Sequence, residues 1–165
     1  MLIIFGGLPG TGKSTLALRL ATELRAFYLR IDTIERAMAE REDDYSVEET
    51  GYRVAYAVAE ENLRLGLTVI ADSVNALEAT RGTWRGVAER VGVRSVEIEV
   101  VCSDQAEHRD RLQTRTALIP VTWQEVVTRL YERWTSEHVR IDTAGQSIDQ
   151  SLAALRQMLP GIFDS

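Results

Sequence analysis

The chain of 165 residues sets 19 Lys and Arg against 25 Asp and Glu, a formal net charge of −6, with 45% hydrophobic and 27% charged residues. That is the balance of a soluble globular protein, on a length that fits one domain. The acidic excess argues against a nucleic-acid surface, which rewards clustered basic side chains, and no apolar stretch approaches the length that spans a bilayer.

Leu2-Ile3-Ile4-Phe5 is a short apolar run with the character of a buried strand. It has no basic region ahead of it and stops at a glycine-rich turn, so it is expected not to be a signal peptide, and the protein is expected in the cytoplasm. Gly7-Leu8-Pro9-Gly10-Thr11-Gly12-Lys13-Ser14 then fits the phosphate-loop pattern of two glycines five apart followed by Lys and Ser or Thr. Glycines suit such a loop because its amides must point inward as a nest for phosphate oxygens. Lys13 is placed to reach the terminal phosphates, and the Ser14 hydroxyl to ligate the magnesium ion that bridges them. From Thr15 the chain continues as a helix whose N-terminal dipole adds to the anion site. The plainer reading is an ordinary glycine-rich turn; the strand before and the helix after favour phosphate. Lys13 is moreover the only lysine among the 19 basic residues, a compact ammonium kept where it suits a phosphate cradle.

Phe27-Tyr28-Leu29-Arg30-Ile31 alternates as a strand that ends at Asp32, its polar side fitting an edge or half-exposed position. Residues 33–41 read as a short helix and Glu42-Asp43-Asp44-Tyr45 as a charged loop. Ser46-Val47-Glu48-Glu49 is a capping box for a helix running to about Leu65, where Gly66 supplies a left-handed stop. Leu67-Thr68-Val69-Ile70-Ala71 is a second continuous apolar run, hence a central strand, ended by Asp72. Asn75-Ala76-Leu77-Glu78 caps a helix reaching about Val91, and Gly92 breaks it. Val96-Glu97-Ile98-Glu99-Val100 is a strand with one face less buried, and Ser103 or Asp104 caps the helix after it, which carries Arg109, Arg111 and Arg115. Cys102, the lone cysteine, reads as a small buried hydrophobe.

Residues 116–121 are irregular around Pro120. Thr122-Trp123-Gln124-Glu125 is a further capping box, opening a helix through about Trp134. Val139-Arg140-Ile141-Asp142 is the last strand, and Ser147-Ile148-Asp149-Gln150 starts a final helix that ends before Pro160. This alternation predicts an α/β fold with a five-stranded, mainly parallel sheet, and nothing marks a linker or second domain within residues 1–165.

Ligands of open parallel sheets bind beyond the carboxyl ends of the strands. Those positions hold the phosphate loop, Asp32, Asp72 with Asn75, Ser103-Asp104 and Asp142-Thr143. Phosphoryl transfer needs acids there for two tasks, one with the metal and one with the attacking hydroxyl. Asp72 ends an apolar strand, as a metal-associated acid should. Asp32 precedes a helix and can cap it as well as face an acceptor. Asn75 reads as a helix cap. Arg81 sits near the start of a helix pointing into the cleft, which makes an acceptor contact plausible, whereas Arg85 fits a solvated face equally well. His108 and His138 read as surface residues, and Trp84, Trp123 and Trp134 as core or hinge packing.

On the phosphate loop, the run from Ile31-Asp32-Thr33 through Arg36, Asp72-Ser73-Val74-Asn75, Arg81 with Trp84, Cys102-Ser103-Asp104 leading to Arg115, and Ile141-Asp142-Thr143-Ala144, the sequence resembles the small P-loop kinases. These include chloramphenicol phosphotransferase, gluconate, shikimate and adenylylsulfate kinases and the bacterial ATP-binding proteins related to them. The resemblance covers nearly the whole chain. It implies the three-layer P-loop NTPase fold of nucleoside-monophosphate-kinase type, with an arginine-bearing lid at about residues 111–122. It further implies ATP bound through residues 7–15, magnesium at Ser14 and Asp72, and catalysis by Lys13, Asp32 and Arg115. Asp32, which faces the acceptor in these kinases, would serve as base or hydroxyl-orienting group, and Arg36, Asp72, Asn75 and Arg81 complete the acceptor side. Asp72 can alternatively contact the acceptor, because the family divides these tasks differently. One lid arginine would stack on adenine and another swing onto the transferring phosphoryl group; Arg111 is placed with the nucleotide and Arg115 with the phosphoryl group.

The activity implied is transfer of the γ-phosphoryl group of ATP to a hydroxyl of a small molecule. The alternatives are a kinase of a nucleotide sugar or nucleic-acid end, as in zeta-type toxins and polynucleotide kinases, and a regulatory ATPase with a protein partner. A guanine-reading Asn-Lys-x-Asp is excluded, since Lys13 is the only lysine.

Overall fold

A computed structural model describes residues 1–39, 47–114, 116 and 120–163. In chain order its elements are β1 (Leu2–Gly6), α1 (Lys13–Leu24), β2 (Phe27–Arg30), α2 (Ile31–Ala39), α3 (Val47–Arg64), β3 (Val69–Asp72), α4 (Glu78–Val91), β4 (Ser95–Val101), α5 (Gln105–Thr114), α6 (Trp123–Thr128), β5 (Val139–Asp142), α7 (Ile148–Met158) and α8 (Pro160–Phe163). The strands form one sheet in the order β2-β3-β1-β4-β5, and every pairing is parallel. The chain therefore leaves β1 toward one edge, returns, and crosses to the other. The carboxyl end of β1 lies where the connections diverge, the place at which such sheets bind ligands.

The period of two along each strand sorts side chains into two cores. Ile3, Phe5, Ile70, Ile98, Val100 and Ile141 pack on Leu16, Ala17 and Leu20 of α1 and on Leu152 and Leu155 of α7. On the other face Leu2, Ile4, Val69 and Ala71 meet Ala55, Ala59 and Leu63 of α3 and Trp84, Val87 and Ala88 of α4. The predicted five-stranded parallel sheet and its layers are thus observed. Among the described residues no helix is long and apolar enough to cross a membrane.

Several local expectations are corrected. Strand β2 stops at Arg30 and α2 begins at Ile31, so Asp32 lies inside the first turn of the helix instead of ahead of it. The N-cap of α4 is Leu77, and Asn75 does not cap it. Helix α6 ends at Thr128, well short of Trp134. The face of β4 expected to be less buried is covered, with Glu97 and Glu99 both buried. Capping boxes at Thr122 and Ser147 form as predicted, and Gly92 ends α4 in the left-handed conformation at φ 75°. The Ser46 capping box and the charged loop at 42–45 lie outside the described residues.

Trp84 is fully buried and makes a T-shaped contact with the Tyr56 ring at a centroid distance of 4.5 Å. Trp84→Ala should lower the unfolding free energy by about 3–5 kcal/mol, the usual cost of deleting a core indole. Urea denaturation followed by circular dichroism measures it.

Candidate functional site

Strand β1 ends on the buried Phe5 and Gly6, and the chain then turns through the glycine-rich loop. At Gly7 the backbone passes so close to the Val100 carbonyl that a Cβ has no room. Gly12, at φ 91°, is the N-cap of α1 and offers no side-chain cap, and the first turn of α1 carries no acid. The first N–H groups of the helix and its dipole therefore have no anionic side chain of their own to serve. Gly7 N–H donates to the Val74 carbonyl at 3.0 Å, the Thr11 hydroxyl to Leu8 O at 2.9 Å, and the Thr143 hydroxyl to Thr11 O at 2.8 Å. These bonds fix the loop from strands on both sides.

A cavity of about 410 Å³ opens over this loop, walled by Gly10, Gly12, Lys13, Ser14 and Thr15 on one side, Arg111, Thr143 and Gln146 on another, and Arg30 on a third. Its volume is in the range of small-molecule sites. Lys13 is only 5% exposed, and no acceptor or carboxylate among the described residues pairs with its ammonium. Arg111 is anchored at the rim: its guanidinium donates to the Thr143 hydroxyl at 2.8 Å and carbonyl at 2.9 Å, and pairs with Glu107. Arg109 is exposed on the same helix. Arg115, and residues 117–119 of the expected lid, lie outside the described residues.

Asp72 is 1% exposed at the carboxyl end of β3. Its Oδ2 accepts a 2.7 Å hydrogen bond from the Tyr28 hydroxyl, while its Oδ1 is buried without a hydrogen-bond partner. Burial first, and then the Asp72 charge, push the Tyr28 phenol far above its usual range, so at neutral pH it is a donor to the carboxylate. Arg30 Nε lies 3.9 Å from the same Oδ2, and Arg30 Nη2 donates to Asp32 Oδ2 at 3.1 Å. Asp32 and Asp72 are thus gathered at one corner of the site through a shared arginine. Arg36 lies one turn beyond Asp32 on α2.

Asn75 and Arg81 fall elsewhere. Asn75 is buried at φ 48°, with its Nδ2 donating to Phe5 O at 2.7 Å and its N–H to the Tyr52 hydroxyl. It pins the end of β1 from behind. Arg81 is 0% exposed. Its guanidinium donates to the carbonyls of Asn75, Ala76, Glu132 and Arg133, pairs with Glu78, and lies 4.8 Å from the centroid of the Trp134 ring. A guanidinium committed to four backbone carbonyls is a clamp on the segment after α6, which corrects its placement in the acceptor cleft. Arg85 likewise pairs with Glu78 and Glu97. The Cys102 thiol is buried and pushed up by that burial, matching the reading of a small core residue.

Both histidines have partners that the sequence did not suggest. His108 is buried, and its Nε2 lies 2.8 Å from the Pro9 carbonyl. Its ring stands T-shaped to that of Trp123 and packs against Gly10. His138 lies 3.7 Å from Glu99. Strand β2 stands at the sheet edge with Tyr28 and Arg30 half-buried on one face, as the alternation predicts, but the sequence did not single out Arg30. The buried acid at Asp72 was the available signal that those polar groups have an inward partner.

An AAA domain model matches residues 2–118. The chain belongs to the AAA domain family. No curated protein matches the sequence. Among solved structures, this AAA domain is similar to Chaetomium thermophilum Kti12 in complex with ADP-AlF3, at 22% identity and TM-score 0.73 over 100% of both chains. It is also similar to the Mycobacterium tuberculosis APS kinase CysC in complex with AMPPNP and APS, at 21% identity and TM-score 0.70 over 96% of each chain. A gluconokinase from Sinorhizobium meliloti 1021 aligns at 18% identity and TM-score 0.65 over 98% of this chain and 94% of that one. These likenesses show the α/β P-loop NTPase fold that the sequence predicts.

If Arg81 clamps the backbone, Arg81→Met should cost about 3–5 kcal/mol of stability, because buried carbonyls and Glu78 lose their donor. Chemical denaturation reads this directly; a melting curve unchanged from wild type would return Arg81 to the list of ligand-facing residues.

Proposed function

We propose that this AAA domain is an ATP-dependent kinase that phosphorylates a hydroxyl of a small molecule. The observation that carries the reading is that Lys13, 5% exposed and with no acceptor paired to its ammonium among the described residues, stands on the wall of a cavity shared with the uncapped amino end of α1. Such a place is stabilised by a polyanion, and the cavity is of a size to take a nucleotide.

The phosphate tail would lie along residues 7–15, with backbone amides and Lys13 meeting its oxygens. Gln146 and Thr143 line the side farther from Asp72, where Arg111 is held against the rim for the base. Among the described residues no three His, Cys, Asp or Glu side chains form a metal cluster, so magnesium would rest on few protein atoms. The Ser14 hydroxyl and the partnerless Asp72 Oδ1 fit that task, and the ion when bound supplies neutralisation of phosphate charge.

Asp32, at the mouth of the same corner, would accept a hydrogen bond from the acceptor hydroxyl. In the transfer, a lone pair on the acceptor oxygen forms the new O–P bond, and the bond from the γ-phosphorus to the β,γ-bridging oxygen breaks. That electron pair leaves on ADP, and the hydroxyl proton passes to Asp32. The residues after the second strand support the acceptor role of Asp32 by their resemblance to chloramphenicol phosphotransferase; Arg36 on the same helix is the further acceptor contact of this reading. Catalysis by Arg115 on the lid side completes it.

The test is ATP turnover against a library of hydroxyl compounds, with phosphorylated product followed by mass spectrometry. At least one compound should be phosphorylated, and Asp32→Asn should lower its kcat about a hundredfold, the usual worth of a positioned proton acceptor. ATP consumption identical with and without every compound favours the regulatory ATPase instead.

A further inference from the structure

We infer that Arg30 is a further catalytic residue, one that reaches the terminal phosphate of the nucleotide from the acceptor side. The inference rests on the kinase reading above and adds to it a residue that neither the phosphate-loop motif nor the lid supplies.

Three observations converge on Arg30. It lines the same cavity as Lys13, Ser14 and Thr15, although it stands on β2, two strands away from β1. Its guanidinium is held between the acid on the acceptor side and the acid on the metal side, at 3.1 Å from Asp32 and 3.9 Å from Asp72. Finally, its hydrogen-bonding capacity is mostly unspent. The bond to Asp32 uses one N–H of a group that carries five, and Nε is buried with no hydrogen-bond partner among the described residues.

A structural counter-ion would be expected to satisfy both acids in good geometry. Here Asp72 takes its hydrogen bond from Tyr28 instead, and the arginine side chain, which lines the cavity, is left 26% exposed. The planar fork suits a phosphoryl group, whose equatorial oxygens carry the charge that develops during transfer. Asp32 and Asp72 preorient that fork, so little side-chain freedom is lost when the phosphate arrives. Arg30 also separates two carboxylates that would otherwise repel each other across the path of the transferring group. The bond changes are those given for the transfer itself; Arg30 donates hydrogen bonds and neither gains nor loses a proton.

Affinity for nucleotides with and without the third phosphate tests this apart from turnover. Magnesium-AMPPNP and magnesium-ADP are titrated by calorimetry into wild type, Arg30→Gln and Arg30→Lys, the last keeping a cation between the acids should the glutamine variant fail to fold. Wild type should prefer AMPPNP, and both variants should lose about tenfold of that preference while holding ADP within about twofold, the size of one charge-assisted hydrogen bond. If either folded variant keeps the full preference, Arg30 is only a counter-ion and the inference is overturned. Wild type that binds neither nucleotide overturns the kinase reading itself, and this assignment with it.

Discussion

Taking an ammonium out of water costs several kcal/mol unless an opposite charge or a ring of acceptors receives it. The fold brings Lys13 partway to that state, leaving it 5% exposed on the wall of the cavity. It is the first residue of α1, with the helix packed through Leu16, Ala17 and Leu20 onto the sheet, so it cannot retreat to solvent without moving the core. The same helix start presents uncapped N–H groups, and the loop ahead of it is tied to Val74 just past β3 and to Thr143 just past β5, which in turn bonds Val101 at the end of β4. The positive corner is therefore rigid before any ligand arrives, and an anion that fits it is bound without reorganising the protein.

The other buried charges show how the chain behaves where no ligand is intended. Glu97 is met by Arg85 and by the Ser136 hydroxyl. Glu99 takes Arg140, His138 and the Tyr131 hydroxyl, which in turn accepts from the Trp134 indole. Arg81 spends its donors on carbonyls. These pairs fasten the irregular segment after α6 against the sheet, and through Trp134 they press on Gly6, immediately before the phosphate loop. Against that thrift, Lys13 and Arg30 line one cavity with donors unspent among the described residues, and the unpartnered Asp72 Oδ1 belongs to the carboxylate beside Arg30. Unsatisfied polar atoms gathered in a cleft mark a place where binding completes the structure.

Much of this was legible in the sequence because it depends on local pattern. The phosphate loop is a motif with its own backbone requirement, the two continuous apolar runs fixed β1 and β3 as central, and the capping boxes at Thr122 and Ser147 fixed helix starts. Long-range pairing was not legible. Arg81 looked like a cleft residue because helix position was known but the chain returning at 132–134 was not. His108 looked like a surface residue and the Glu97-Glu99 face less buried, because a polar residue is buried only when a distant partner meets it, and no periodicity announces the partner. Arg30 was missed for the same reason: the alternation that places it beside Tyr28 says nothing about Asp72 on the neighbouring strand.

The central claim is that the Lys13 corner exists to hold a phosphate tail. Calorimetric titration of magnesium-ATP into wild type and Lys13→Met, both checked for a native circular dichroism spectrum, tests it most directly. One equivalent of ATP should bind wild type, with the methionine variant weaker by about tenfold or more, as expected when a charge-assisted contact to phosphate is lost. Equal binding by both proteins, or none by wild type, would contradict the claim.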